Sequence, residues 1–158
     1  FKSRLAALFG KLTEHDARRA FKEETKEIVT ADFSGKRVLL VDDNELNREI
    51  AVEILDMIGV QAETAENGKT AVRMISEHAD NYYQMVFMDI QMPVMNGYEA
   101  ASAIRMLGRK YTDHLPIIAL SANAFAEDVV MARNAGMNEH LAKPLEITKL
   151  EKTLERWL

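Results

Sequence analysis

No cysteine occurs in the chain, which excludes disulfide frameworks, thiolate metal centres and a cysteine nucleophile. That absence is compatible with a cytoplasmic location, where disulfides are rare, and such a location is the expectation. Equally absent is any apolar run near the ~18 residues needed to span a bilayer. The opening Phe1-Lys-Ser-Arg-Leu-Ala-Ala-Leu-Phe-Gly10 is basic and then apolar, but too brief for a signal peptide. A surplus of positive charge is lacking too: 20 Lys and Arg stand against 25 Asp and Glu, a net charge of -5. Neutralising a phosphate backbone requires a basic surface, so non-specific nucleic-acid binding is disfavoured. Internal repeats and low-complexity tracts are missing, and so is an initiator Met. The chain is expected to be a piece of something longer, whose remainder could be membrane-anchored.

What is present suits one soluble domain with a short appendage: 158 residues, 47% apolar and 28% charged. Residues 1–35 form the appendage. Leu5, Leu8, Phe9 and Leu12 share one face of a short helix, and Ala17, Ala20, Phe21 and Ile28 make a thin apolar stripe in a charge-rich run. Such a stripe is marginal alone. The segment is expected to be a helical linker, solvated or packed against a second copy as a homodimer contact. Phe33-Ser-Gly-Lys36 breaks the pattern, and the domain is expected to run over 36–158.

Within that domain, short apolar runs alternate with helical patterns. Strands are expected at 38–41, 60–65, 85–89, 115–120 and 139–142. Helices are expected at 45–58, 70–79, 98–107, 124–135 and 146–158. The first helix carries Leu46, Ile50, Ile54, Leu55 and Ile58 at helical spacing and stops at Gly59. Five strands alternating with five helices predict an α/β fold, a parallel sheet covered on both faces.

The strand ends carry the chemistry. The first is followed by Asp42-Asp43, the third ends in Asp89, the fourth reaches Ser121, and the fifth reaches Lys143-Pro144. In a doubly wound sheet these positions share one edge, where ligand crevices form. Each has a mundane use, as a turn residue, a helix cap or a surface charge. Their joint placement favours one site. Carboxylates ~5 Å apart repel by about 3 kcal/mol at an effective dielectric of ~20, and a hard divalent cation with oxygen ligands relieves that repulsion. Mg²⁺ is the natural candidate, with Mn²⁺ as the alternative. A carboxylate nucleophile at Asp89, a metal, the Lys143 ammonium and the Ser121 hydroxyl compose a phosphoryl-transfer site.

Residues 36–158 resemble a response-regulator receiver domain. The resemblance rests on Val-Asp42-Asp43-Asn, Met-Asp89-Ile-Gln-Met-Pro93-Val-Met-Asn-Gly97, Leu-Ser121-Ala and Lys143-Pro144. It implies a doubly wound, flavodoxin-like five-stranded sheet of order 2-1-3-4-5. It further implies that Asp89 accepts phosphate from a histidine kinase or histidine phosphotransfer protein. Asp43, Asp89 and the Gln91 backbone carbonyl would bind the metal directly, with Asp42 acting mostly through water. Ser121 would be the switch hydroxyl, Lys143 the phosphate-contacting lysine, and Pro144 a cis-proline. The switch aromatic is usually Tyr or Phe, and here it is His140. The wording around Asp42–Arg48 and Gly136–Pro144 resembles receivers of hybrid sensor histidine kinases, often the last domain of their chains. No kinase nucleotide-binding motif is present in these residues, so the fragment itself is expected to act as phosphoacceptor only.

Three other functions compete. A degenerate receiver would be a docking domain. An aspartate-nucleophile phosphatase of the haloacid-dehalogenase type would want Asp-x-Asp on the first strand, whereas Asp42 and Asp43 are adjacent and strand alternation would point them apart. A flavin-phosphate binder of flavodoxin type would need a Ser/Thr/Gly-rich loop after the first strand, where acidic residues stand instead.

Overall fold

The computed structural model describes residues 33–122 and 126–158, without the side chains of residues 126 and 127. The helical linker expected over 1–35 falls almost wholly outside these residues. The element order is β1 (Arg37–Val41), α1 (Glu45–Ile58), β2 (Gln61–Ala65), α2 (Gly68–Glu77), β3 (Met85–Asp89), α3 (Gly97–Arg105), α4 (Lys110–His114), β4 (Ile117–Ser121), α5 (Ala126–Asn134), β5 (Glu139–Ala142) and α6 (Ile147–Trp157). The strands form one parallel sheet in the order β2-β1-β3-β4-β5, as the resemblance implies.

Side-chain alternation along the strands divides the core in two. Leu39, Val41, Val86, Met88, Ile117 and Ala119 face Ala71 and Ile75 of α2, Ala100 and Ile104 of α3, and Ala132 of α5. On the other face Val38, Leu40, Phe87, Ile118 and Leu120 meet Ile54, Leu55 and Ile58 of α1 and Leu150 and Leu154 of α6. Every residue of β3 and β4 is buried, hence their unbroken apolar runs. Each large aliphatic or aromatic side chain so removed from water contributes roughly 1.5–3 kcal/mol. Phe33 is buried in the second cluster, so the packed unit reaches three residues ahead of the boundary expected at 36.

The structure differs from the sequence reading in several places. Among the described residues there are six helices rather than five, because α4 is only five residues long and too short to display an apolar period. The fourth strand begins at Ile117, not 115, since Leu115 closes α4 and Pro116 has no N–H for the ladder. Leu46 and Ile50 lie at helical spacing with the core positions, yet both are exposed; Ala51, Ile54, Leu55 and Ile58 carry the packing of α1.

Local chemistry fixes the turns at both edges of the sheet. Asn44, Asn67 and Asn96 each cap the helix that follows a strand, accepting from the backbone N–H of Asn47, Thr70 and Glu99. Gly59 ends α1 at φ 101°, a left-handed geometry suited to glycine, and donates to the Leu55 and Asp56 carbonyls. At the far end of α5, Arg105 binds backbone at three places. Its guanidinium donates to the carbonyls of Thr112, Leu115 and Gly136 and to Asn138 Oδ1, at 2.7–3.0 Å.

Gly97 is the tightest of these positions. Its N–H donates to the Ile90 carbonyl at 2.9 Å, drawing α3 against the end of β3. A Cβ there would lie 2.3 Å from the Asp89 carbonyl oxygen and 2.9 Å from Ile90 Cα. Backbone atoms cannot yield as a flexible side chain would, so Gly97→Ala is expected to cost roughly 2–3 kcal/mol. Urea denaturation checks this, and a loss under about 0.5 kcal/mol would show that the β3–α3 turn relaxes freely.

Candidate functional site

The carboxyl edge of the sheet gathers the residues singled out in the sequence. Asp42 follows β1 and is 3% exposed, while Asp89 closes β3 and is 5% exposed. Asp43 is exposed. One carboxylate oxygen from each of the three lies within 4.8 Å of the others. The expectation that Asp42 and Asp43 would point apart does not hold. Both lie beyond Val41, the last residue of β1, where strand alternation no longer governs the chain.

Lys143 arrives from the loop after β5 and spans the buried pair. Its Nζ stands 2.9 Å from Asp42 Oδ2 and 3.1 Å from Asp89 Oδ2. The second oxygens are held by backbone: Asp42 Oδ1 accepts from the Asn44 N–H at 2.9 Å, and Asp89 Oδ1 from the Gln91 N–H at 3.2 Å. Gln91 thus reaches Asp89 through its main chain, and its side chain faces solvent. The Lys143–Pro144 peptide is cis. The Lys143 N–H donates to the Ser121 carbonyl at 2.8 Å, tying the loop to β4.

Burial, aided by the charge of Asp42, holds the Asp89 carboxyl above its ordinary range, although Lys143 and the Gln91 N–H oppose the rise. For Lys143 burial acts downward, but the Asp42 and Asp89 carboxylates outweigh it and the ammonium is held above its usual value. One ammonium among three carboxylates leaves an excess of negative charge. The donors are all hard oxygens, their separation suits one cation, and the strain on Asp89 is of the kind a cation relieves. Mg²⁺ therefore fits, as does Mn²⁺.

Ser121 ends β4, buried, with its Oγ 2.8 Å from His140 Nε2 on the neighbouring strand. His140 opens on a hollow of about 340 Å³ lined by Val129, Ala132, Arg133 and Met137. A larger hollow, about 450 Å³, lies at the opposite edge beside Lys36, Tyr83, Lys110 and Trp157, and none of the site residues line it. Two contributors escaped the sequence reading. Arg48 donates to the Asp42 carbonyl at 2.8 Å, and Asn44 serves both as the α1 cap and as donor to Asp42. The spacing of Asn44 and Arg48, one helical turn, was the available signal.

The sequence profile of the "Response regulator receiver domain" family matches residues 38–155. Among curated proteins, the chain is 33% identical over 141 residues to the hybrid signal transduction histidine kinase L of Dictyostelium discoideum, covering 89% of this chain and 8% of that protein. It is 34% identical over 124 residues to the sensor histidine kinase RcsC of Escherichia coli K12, covering 78% of this chain and 12% of that one. The chain thus spans only a small part of these relatives. Among solved structures, the receiver domain of sensor histidine kinase PA1611 from Pseudomonas aeruginosa PAO1, with a magnesium ion coordinated in its active-site cleft, superposes with TM-score 0.70 at 35% identity. The match covers 78% of this chain and 98% of that one. A co-crystal of the Saccharomyces cerevisiae histidine phosphotransfer protein Ypd1 with the receiver domain of Ssk1 matches with TM-score 0.71 at 31% identity, covering 80% and 91%.

The electrostatics of Asp89 give a test in metal-free buffer. A group whose folded pKa is raised contributes stability below its unfolded value and loses it as pH rises through the folded value. Wild-type stability in EDTA should therefore decline as pH climbs from the ordinary carboxylate range through the raised value of Asp89. Asp89→Asn removes that decline. Its urea midpoint is expected to exceed that of wild type at pH 7.5, with the gap closing toward pH 4; a lower midpoint at pH 7.5 would contradict the assignment of strain to Asp89.

Proposed function

The chain belongs to the response-regulator receiver domain family, and from that premise we propose that Asp89 accepts a phosphoryl group in a two-component phosphorelay. The donor is a histidine kinase or histidine phosphotransfer protein. The observation that carries this reading is the buried Asp89 carboxylate, with the Lys143 ammonium at 3.1 Å and two further carboxylates beside it.

In this reading an oxygen lone pair of Asp89 attacks phosphorus and the P–N bond of the donor phosphohistidine breaks. The bonding electrons stay on the departing imidazole nitrogen, which takes up a proton. Lys143 already lies against the attacked carboxylate and can follow the charge onto the phosphoryl oxygens. The Ser121 hydroxyl, on the adjacent strand, donates to another of those oxygens. Asp43 and Asp89, with the Gln91 carbonyl, would hold Mg²⁺ or Mn²⁺, and Asp42 would act through water. When bound, such an ion neutralises charge on the transferring group. The fragment performs no kinase chemistry of its own.

The donor must bring its histidine to this edge, and the surface there suits it. Leu46 is 62% exposed, Ile50 43% and Val94 78%; the first two lie on α1 behind Asp42, and Val94 lies in the loop after Asp89. Such a patch beside an acidic pocket fits a helical face of a phosphotransfer protein, the kind of partner seen with the Ssk1 receiver. Engagement of Ser121 then draws on His140 and changes the face formed by α5, β5 and α6, where Val129, Val130 and Met131 are exposed. The similarity to hybrid kinases supports a longer parent of that type, with residues 1–35 as the linker and a homodimer contact. No helix among the described residues is long and apolar enough to cross a membrane, and a cytoplasmic setting is part of the proposal.

Incubation with a small phosphodonor and Mg²⁺ is expected to give acid-stable, base-labile label that Asp89→Asn and EDTA both abolish. Wild-type protein that neither labels nor binds Mg²⁺ would be a degenerate receiver, a docking domain only. Leu46→Glu is expected to slow transfer from a phosphotransfer protein at least tenfold while leaving small-donor labelling unchanged, as loss of an interface anchor does. Equal loss with both donors would move the docking face elsewhere.

A further inference from the structure

Asparagine is followed by glycine twice in the chain, at Asn67-Gly68 and Asn96-Gly97, and each pair stands where a βα loop of the carboxyl edge enters its helix. We infer that Asn67 is a site of spontaneous intramolecular deamidation, through attack by the Gly68 nitrogen, and that the fold withholds Asn96 from the same reaction.

The chemistry needs no reagent beyond water. The Gly68 amide nitrogen gives its proton to hydroxide and bonds to Cγ of Asn67. The Cγ–Nδ2 bond breaks, and ammonia departs with a proton returned from water. The succinimide ring so formed then takes up one water. Attack on its side-chain carbonyl gives aspartate. Attack on its main-chain carbonyl gives isoaspartate, whose backbone runs through Cγ and is longer by one methylene. Glycine permits the closure because it has no Cβ to obstruct the ring.

Hydrogen bonds decide which pair reacts. Both carboxamides are held as caps: Asn67 Oδ1 accepts from the Thr70 N–H at 2.8 Å, and Asn96 Oδ1 from the Glu99 N–H at 2.9 Å. Both main-chain carbonyls accept the first helical bond, from Ala71 and Ala100. The attacking nitrogens differ. The Gly97 N–H donates to the Ile90 carbonyl at 2.9 Å, and the residue is seated against the backbone of Asp89 and Ile90. The Gly68 N–H has no acceptor among the described residues, the ordinary state of a donor in the first turn of a helix. Closure at Asn67 therefore requires only that the first turn of α2 fray. At Asn96 the tie between α3 and β3 must break as well.

The two products act differently. Aspartate at this position keeps an oxygen for the Thr70 N–H and adds negative charge at the start of α2, both favourable. Isoaspartate inserts its methylene beside Gly68, where space is lacking. Even a Cβ on Gly68 would lie 2.8 Å from the Met95 carbonyl oxygen and 2.8 Å from Ala100 Cβ. The longer backbone must lift α2 from α3 or displace Met95, which lies in the loop between Asp89 and α3. Ageing of one asparagine thus reaches the loop beside the acidic pocket.

The test is peptide mapping by mass spectrometry of the full chain after incubation at pH 8.5 and at pH 6, folded or in guanidinium chloride. In the folded chain, conversion at Asn67 is expected to outrun conversion at Asn96 about tenfold, the order set by one further hydrogen bond to open. It should be faster at pH 8.5, as loss of the Gly68 proton requires, and the two rates should converge in guanidinium chloride. Pulse proteolysis across a urea series, with the same mapping of surviving chains, reads each product's stability in one sample. Chains with aspartate are expected to survive as Asn67→Asp and wild type do, and chains with isoaspartate to be cut at lower urea. Equal rates at the two asparagines of the folded chain, a faster Asn96, or no conversion at either would overturn the inference. Isoaspartate chains as resistant as wild type would overturn the link to the Met95 loop.

Discussion

The Lys143 ammonium between Asp42 and Asp89 is the contact on which the carboxyl edge depends. A parallel sheet brings the ends of all its strands to one side, and this sequence loads that side with carboxylates. Without a cation their mutual repulsion would oppose the register that brings β1 beside β3. Lys143 answers part of it from the last βα loop of the sheet, 101 residues away in sequence from Asp42. It does not answer the cost of burial, which, aided by the charge of Asp42, still makes Asp89 hold its proton more tightly than a free carboxyl. The residual imbalance leaves room for a divalent ion and for the charge of a phosphoryl group.

Two kinds of residue keep that imbalance from being relieved by movement. Backbone N–H groups of Asn44 and Gln91 fix one oxygen of each buried carboxylate, leaving the second for Lys143. Asparagine caps and the missing side chain of Gly97 fix the turns from which those groups project. The site is thus held by main chain more than by side chain. Such main-chain support resists the reorganisation that a change of charge imposes on a flexible cluster.

Much of the fold was legible because its signals are local. Buried strands such as Met85–Asp89 show as apolar runs, glycine marks the end of α1, and the alternation of the two patterns specifies a parallel sheet. The acidic pair, Asp89, Ser121 and Lys143 stood out because each closes or follows a strand. What escaped reading depends on three-dimensional neighbours. Leu46 and Ile50 have the spacing of core residues, but only the position of the sheet decides that Ala51 and Ile54 turn inward instead. Asp42 and Asp43 converge because the strand stops one residue earlier than alternation would need to separate them. The bond between Ser121 and His140 joins residues 19 apart through strand register, with Ala119 opposite His140 and Ser121 opposite Ala142. No local pattern in the sequence encodes it.

The grip of Arg105 on the Gly136 carbonyl and Asn138 gives α5 a fulcrum. The helix is nine residues long, or about 13 Å at 1.5 Å per residue, and its carboxyl end is fastened through Arg105 to α3, α4 and the start of β4. In the proposed switch, the pull would come from the side of β4, at the other end. A rod fastened at one end and pulled at the other turns rather than slides. A rotation of ~10° about that fulcrum would carry the amino end of a helix this long by about 2 Å while the carboxyl end stayed seated. The lever arm would then set the gain of the proposed switch, with the amino end of the helix sweeping the widest arc.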